Sequence, residues 1–191
     1  MMLVLLFFCI ISYLFGSIPF GVIIAKFKNV DLRSVGSGNI GATNVARSCG
    51  KFYAFLTFLL DGLKALIPAL VAKNFIDNDL VFLVSITGIL GHIYSCFCKF
   101  KGGKGFATTL MSFFAISPTI ATSIIACWAL VFIITRYSSL SAIISIIVAF
   151  LIALASQDLI TIIFAFAAMV IILYTHRENI KRLINGSENK F

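Results

Sequence analysis

Three polar, glycine-rich and basic segments interrupt this otherwise apolar chain. They are GSGNIGATNVAR at 36–47, GGKG at 102–105 and HRENIKR at 176–182. Glycine lets backbone N–H groups turn toward a ligand, Lys and Arg supply positive charge, and Ser, Thr and Asn add neutral hydrogen-bonding groups. This combination is typical of a site that binds an anion such as phosphate.

The first segment has the glycine spacing of a dinucleotide-binding loop, at Gly36, Gly38 and Gly41. That loop requires a preceding strand and a following helix within one unit, whereas an apolar span precedes this segment. Two interpretations remain, a flexible connector and a loop that binds phosphate. The segment combines many hydrogen-bond donors with few charged residues, which favours the phosphate-binding loop. The candidate phosphate-binding residues are Ser37, Gly38, Asn39, Gly41, Thr43, Asn44 and Arg47.

The second segment places Gly102, Gly103 and Lys104 directly before an apolar run that begins at Phe106. A glycine turn at a helix N-terminus can bind an anion through N–H groups and the positive end of the helix dipole. It is not a P-loop, because Gly105 follows the lysine where Ser or Thr is required. Lys99 and Lys101 could serve only to set membrane topology, but the glycines around Lys104 favour ligand binding.

The third segment, if helical, brings His176, Asn179 and Arg182 onto neighbouring turns, because they are three residues apart. Histidine titrates near neutral pH and could act as a base, and an asparagine could donate to an oxyanion. A single histidine at a membrane interface can equally be structural, so both roles stay open. We expect Glu188 to pair with a basic residue rather than take part in the chemistry.

The composition indicates an integral membrane protein. Of 191 residues, 61% are hydrophobic and 12% charged, with a mean hydropathy of +1.10, which leaves too little polar surface for a soluble globule. A spanning helix needs about 20 apolar residues, so the chain can hold about six or seven short spans. We predict an all-α, polytopic protein with one transmembrane domain over 1–191. The predicted apolar runs are 3–25, 52–72, 80–97, 106–118, 119–135, 139–156 and 159–175.

The distribution of charge favours seven spans over six and sets their orientation. With the N-terminus outside and seven spans, all of the 15 Lys and Arg residues except Lys64 and Lys73 fall on one side of the membrane. Positive residues concentrate on the cytoplasmic side, so the three segments and the C-terminus are expected there. No basic residue precedes the first apolar run, so we expect an uncleaved first span. The net charge of +8 then reflects these loops and not nucleic-acid binding.

Asp61 and Lys64 are predicted to lie inside the second span, three residues apart and on one helical face. Charges inside a membrane are costly and are often functional, but this pair could also neutralise itself. Structural support and ligand binding both remain open. No cluster of acidic residues suggests a metal site or a metal cofactor.

The three segments, in this order and spacing, resemble the bacterial acyl-phosphate-dependent glycerol-3-phosphate acyltransferases. The similar stretches are 36–47, 91–108 and 176–190, about a quarter of the chain. The resemblance implies seven helices and the transfer of a fatty acyl group from acyl phosphate to the 1-hydroxyl of glycerol 3-phosphate. It implies that Ser37, Arg47, Lys104 and Arg182 contact phosphate and that Gly38, Gly41, Gly102 and Gly103 shape the backbone. His176 and Asn179, together with Ser37, are then the candidate catalytic residues.

The resemblance also implies the partners and the location. They are acyl phosphate, glycerol 3-phosphate and membrane lipid, with no nucleic acid or obligate protein partner, at the bacterial cytoplasmic (inner) membrane. Neither histidine begins a His-x-x-x-x-Asp pair, and no Ser/His/Asp triad stands out, which favours direct attack by the glycerol hydroxyl. The substrate phosphate could accept the proton in place of His176. The alternative is a small transporter or flippase for an organic phosphate, which would need polar residues across the bilayer midplane.

Overall fold

The computed structural model describes residues 1–191 and contains ten α-helices, two single turns of 3-10 helix and no strand. The all-α prediction is therefore confirmed. The 3-10 turns are Asn78–Leu80 and Cys96–Cys98. The helices are α1 (Met2–Ser17), α2 (Phe20–Phe27), α3 (Ala42–Cys49), α4 (Lys51–Ala72), α5 (Val81–Ile93), α6 (Phe106–Ile116), α7 (Pro118–Thr135), α8 (Ser138–Ser156), α9 (Leu159–Thr175) and α10 (Arg177–Ile184).

The polytopic membrane character is also confirmed. By length and composition, 5 segments can cross a membrane: Met2–Phe27, Lys51–Ala72, Asn78–Cys98, Pro118–Thr135 and Ser138–Ser156. A sixth is added if α9 and α10, which bend by 61°, form one span. The 11 residues of α6 measure about 16 Å at 1.5 Å per residue, well short of a hydrocarbon core of about 30 Å. Seven spans and the orientation of the termini therefore stay predictions.

The predicted first span, 3–25, is broken at Pro19 into α1 and α2. Proline lacks an N–H group and disfavours helical geometry at the residue before it, and Ile18 is extended (φ −61°, ψ 119°). The break leaves carbonyl groups at the end of α1 without helical partners, and within a bilayer other protein groups must satisfy such carbonyls. Ser95 Oγ donates to the Ser17 carbonyl, and Lys64 Nζ donates to the Ile18 carbonyl at 2.6 Å.

Contacts divide the chain into two units, 1–112 and 113–191. In the first unit, α1, α4 and α5 pack against one another. The α1–α5 contact depends on glycine, because a Cβ at Gly16 would lie 2.2 Å from the carbonyl oxygen of Gly88. Small residues allow this close approach, as is common between membrane helices.

In the second unit, α8 packs against both α7 and α9, and α10 contacts α8 and α9. Asp158 caps α9 by accepting a hydrogen bond from the backbone of Thr161 at 3.2 Å. Hydrogen bonding from Thr161 lowers the pKa of the exposed Asp158 carboxyl below its ordinary value. The single domain over 1–191 stays a prediction.

Candidate functional site

The loop before α3 is organised by Asn44, whose side chain is almost fully buried at 1% exposure. Its Oδ1 accepts from the backbone N–H of Ser37 at 2.9 Å, and its Nδ2 donates to the carbonyls of Leu32 and Val35, each at 3.1 Å. Asn44 was predicted as a phosphate ligand, but in the structure its amide is bonded to the loop backbone. It thereby fixes the conformation in which Ser37 is presented.

The other polar residues of this segment lie nearer the surface. In the loop, Ser37 is exposed and Asn39 half-buried; within α3, Arg47 is exposed and Thr43 half-buried. Gly38 has φ +67°, a conformation that residues with a side chain rarely adopt. Gly41 precedes α3, and no side chain caps the start of that helix. A helix start without a side-chain cap is suited to an anion.

The second glycine segment folds back onto the end of α5. The N–H of Gly102 donates to the carbonyl of Ile93 at 2.8 Å, and the N–H of Gly103 donates to that of His92 at 3.1 Å. These two N–H groups, predicted to point at a ligand, bond to the protein in this structure. Lys104 follows them, half-buried, two residues before α6 begins. The lysine is therefore carried by a loop whose start is fixed.

Arg33 joins the two glycine-containing segments of the first unit. Its Nη1 donates to the carbonyl of Gly38 at 3.3 Å, and its Nη2 donates to the carbonyl of Lys101. This link was not apparent from the sequence, because no local pattern pairs residues 68 positions apart. A guanidinium group can bridge two carbonyls with fixed geometry, which the flexible ammonium of lysine does less well.

A buried cluster of Asp61, Lys64 and His92 lies between α4 and α5. Lys64 Nζ is 2.6 Å from Asp61 Oδ1, and His92 Nδ1 is 3.7 Å from the same oxygen. All three residues are at most 5% exposed. Asp61 and Lys64, left open between self-neutralisation and ligand binding by the sequence, therefore form an ion pair. Because Lys64 also satisfies the Ile18 carbonyl, the contacts favour structural support over ligand binding for this pair.

The third segment lies in the second unit and is helical, as its spacing predicted. His176 is the residue at the junction of α9 and α10, and it is 4% exposed. Its Nδ1 lies 2.9 Å from the carbonyl oxygen of Ile172. Because a carbonyl can only accept, Nδ1 carries the proton, which makes Nε2 the acceptor nitrogen of the neutral ring.

Glu188 connects the other predicted residues of this segment. Its carboxylate accepts from Asn179 Nδ2, Arg182 Nε and Ser139 Oγ, each at 2.7 Å. Burial alone would raise the pKa of this carboxyl, but the three hydrogen bonds and the Arg182 charge outweigh it, so the pKa is lowered below its ordinary value. The expected pairing of Glu188 with a basic residue is confirmed. It also orients Asn179, which the sequence did not indicate.

The chain is an all-helical membrane protein whose basic, glycine-containing loops are held in fixed conformations. These features are typical of enzymes and carriers that handle phosphorylated molecules at a membrane. The chain belongs to the glycerol-3-phosphate acyltransferase family, which it matches over residues 6–186. The glycerol-3-phosphate acyltransferase of Aquifex aeolicus (strain VF5) is 48% identical over 189 residues, covering 97% of this chain and 98% of that protein. That of Pelagibacter ubique (strain HTCC1062) is 44% identical over 182 residues, covering 94% and 93%.

Two solved structures are similar over nearly the whole chain. Both are of PlsY (YgiH), an integral membrane glycerol 3-phosphate acyltransferase. Its glycerol 3-phosphate form has a TM-score of 0.93 and 47% identity, covering 98% of this chain and 95% of that one. Its lysophosphatidic acid form has a TM-score of 0.91 and 46% identity, with the same coverage. The resemblance seen in three short segments therefore extends over the whole fold.

Proposed function

We propose that this protein transfers a fatty acyl group from acyl phosphate to the 1-hydroxyl of glycerol 3-phosphate, giving lysophosphatidic acid and inorganic phosphate. The family match over residues 6–186 carries the proposal. The two PlsY forms, named for glycerol 3-phosphate and lysophosphatidic acid, correspond to the acceptor and the product of this reaction. The donor is inferred from the resemblance of the three segments to the acyl-phosphate-dependent family.

The proposed phosphate ligands are Ser37, Arg47 and Lys104. Ser37 is exposed on the loop that Asn44 holds in place, Arg47 is exposed on α3, and Lys104 follows a glycine turn with a fixed start. A charge-assisted contact to phosphate is stronger than a neutral one, so the two basic residues contribute most of the binding. Gly38, Gly41, Gly102 and Gly103 shape the backbone, Asn39 and Thr43 add hydrogen bonds, and Arg182 is a further phosphate candidate.

The proposed chemistry is a direct acyl transfer within a single membrane domain. The glycerol hydroxyl oxygen bonds to the acyl carbon, the bond from that carbon to the phosphate oxygen breaks, and the hydroxyl proton passes to a phosphate oxygen or to His176. Acyl phosphate is already activated, so positioning and charge stabilisation supply most of the rate. Asn179, whose side chain is oriented by its hydrogen bond to Glu188, is proposed to stabilise the developing oxyanion.

The donor is tested with purified protein in lipid nanodiscs. Acyl phosphate should support turnover with glycerol 3-phosphate, acyl-CoA should not, and EDTA should leave the rate unchanged. We expect this because the proposed site recognises phosphate through Lys, Arg and hydroxyl groups. Release of inorganic phosphate and formation of lysophosphatidic acid are measured together. Turnover with acyl-CoA alone, or a loss in EDTA that Mg²⁺ restores, would contradict the proposal. Uptake of glycerol 3-phosphate into vesicles without acylation would instead support a transporter.

The proposed location is the bacterial inner membrane, with the phosphate-binding segments on the cytoplasmic side. Single cysteines replacing the exposed residues Ser34, Lys101 and Ser187 should react with an impermeant thiol reagent only from the cytoplasmic side. Cysteines replacing Asp77 and Ser156 should react only from outside, because the basic residues are concentrated at the opposite ends of the helices. The five natural cysteines are removed first. Labelling of positions 34 and 101 from opposite sides would contradict this topology.

A further inference from the structure

Gly102 and Gly103 do not owe their identity to the backbone conformation. The glycines with positive φ include Gly36, Gly38 and Gly105, but neither Gly102 nor Gly103. An ordinary residue could therefore adopt their backbone geometry. Glycines in phosphate-binding loops are commonly explained by a positive φ or by close approach of the ligand. For this pair the packing against α5 gives a different reason.

Gly103 lies directly against the imidazole ring of His92. A Cβ added at Gly103 would be 2.2 Å from Nε2, 2.9 Å from Cε1 and 3.2 Å from Cδ2 of that ring. Gly103 is buried, and its N–H donates to the His92 carbonyl. The ring and the backbone carbonyl of His92 together fix the position of Gly103. A Cβ at Gly102, by contrast, would be 1.9 Å from the His92 carbonyl oxygen, which is backbone.

The ring of His92 cannot easily move aside to admit a larger residue. It is 5% exposed, and its Nδ1 faces Asp61 Oδ1 at 3.7 Å. Asp61 is bonded to Lys64, which donates to the carbonyl freed by the break at Pro19. The cluster therefore connects the helix break between α1 and α2, through α4, to the end of α5 and the glycine loop.

We propose that His92 is a positioning residue, whose ring, backed by Asp61 and Lys64, seats Gly103 and so places Lys104 for its substrate phosphate. This inference rests on the proposed function for the identity of that phosphate. His92 acts through the loop and has no contact with substrate. Gly103 is glycine because the ring occupies the space of its Cβ, whereas Gly102 is glycine because of a backbone oxygen.

The difference between the two glycines gives a test with a matched control. Gly103→Ala should reduce kcat/KM by tenfold or more, on the order of one displaced charge-assisted contact. In a His92→Ala background the same change should cost less than about threefold, because the two residues are in contact and their effects are not additive. Gly102→Ala should be equally damaging in both backgrounds. An equal loss from Gly103→Ala in both backgrounds would overturn the proposal.

A second cycle tests whether His92 acts through Lys104. His92→Ala should raise the KM for one of the two substrates more than it lowers kcat. His92→Asn should retain part of the activity, because the asparagine side chain can still contact Asp61. In a Lys104→Ala background, adding His92→Ala should lower kcat/KM by a further factor of less than about three. Losses that multiply would show that His92 acts elsewhere and would overturn the proposal. His92→Asn replaces His92→Ala in both cycles if the alanine variant does not fold by size-exclusion chromatography.

A binding measurement separates this inference from the proposed function. Glycerol 3-phosphate and inorganic phosphate are each titrated against the purified protein, and the shift in its unfolding temperature is followed. The shift should be lost for at least one of them in Gly103→Ala and restored in the double variant with His92→Ala. A wild-type protein without acyltransferase activity would defeat the proposed function and leave this comparison intact. No restoration in the double variant would defeat the role of His92.

Discussion

Lys104→Ala should lower kcat/KM by roughly ten- to more than a hundredfold, a loss of about 1.5–3 kcal/mol in transition-state stabilisation. The substitution removes a cation that is proposed to bind a substrate phosphate next to a backbone segment held at 2.8 and 3.1 Å by the end of α5. Arg47→Ala should cause a loss of similar size, because it removes the other proposed cation. Steady-state rates are measured while each substrate is varied in turn.

The controls for Lys104→Ala separate a specific contact from the general loss of a positive charge. Lys51→Ala removes an exposed cation at the start of α4 and should leave kcat/KM within about twofold of the wild type, as is usual for surface positions. Lys104→Arg should restore activity only in part, because a broad guanidinium does not replace a compact ammonium between glycines. Wild-type activity in Lys104→Ala would contradict the assignment of this residue to phosphate.

The membrane class could be predicted from the sequence because hydropathy reports directly on which segments a bilayer accepts. The runs 52–72, 139–156 and 159–175 correspond closely to α4, α8 and α9. The run 3–25 does not, because hydropathy averages over Pro19, whose effect on the backbone is local. Likewise 106–118 reads as one apolar run, but the helix ends at Ile116 and Pro118 begins the next.

The sequence indicated the type of ligand that the segments bind, but not which residue contacts the ligand and which supports the loop. The abundance of Ser, Asn and Gly at 36–44 indicated hydrogen bonding to an anion, yet Asn44 bonds to the backbone of its own loop. An asparagine that binds phosphate and one that binds a carbonyl look the same in a sequence. The distinction depends on how deeply the side chain is buried. Asn44 is 1% exposed, and this burial follows only from the packing of α3.

Contacts between residues far apart in the chain could not be predicted from the sequence for a different reason. The approach of Arg33 to the carbonyl of Lys101 and of His92 to Gly103 depends on how α5 and the loops end. No periodicity connects such positions. Glu188 shows an intermediate case, because its pairing with a basic residue was predictable from the charges nearby, but its simultaneous bonds to Asn179 and Ser139 require the fold of the second unit.

His176→Ala should reduce kcat strongly but leave the acid limb of the pH–rate profile in place. The limb is the fall in rate as the pH drops and the base becomes protonated. We expect a substrate phosphate, with a second pKa of about 6, to accept the hydroxyl proton, and its titration is independent of the substitution. His176, whose ring is anchored by Nδ1 on the carbonyl of Ile172 at 2.9 Å, then orients the substrate. Profiles of kcat and kcat/KM between pH 5 and 9 are compared for the two proteins.

A histidine that acts as the obligatory base gives the opposite result. The unprotonated ring is then the reactive form, so His176→Ala would remove the acid limb together with most of the activity, while the wild type would retain the limb. Arg177→Ala, at an exposed neighbouring position, should keep both the rate and the limb and controls for disturbance of α10. Loss of the acid limb in a His176→Ala protein that is folded by size-exclusion chromatography would assign the proton to His176. Its survival at a lower rate would assign the proton to the substrate phosphate, with the histidine positioning the reacting groups.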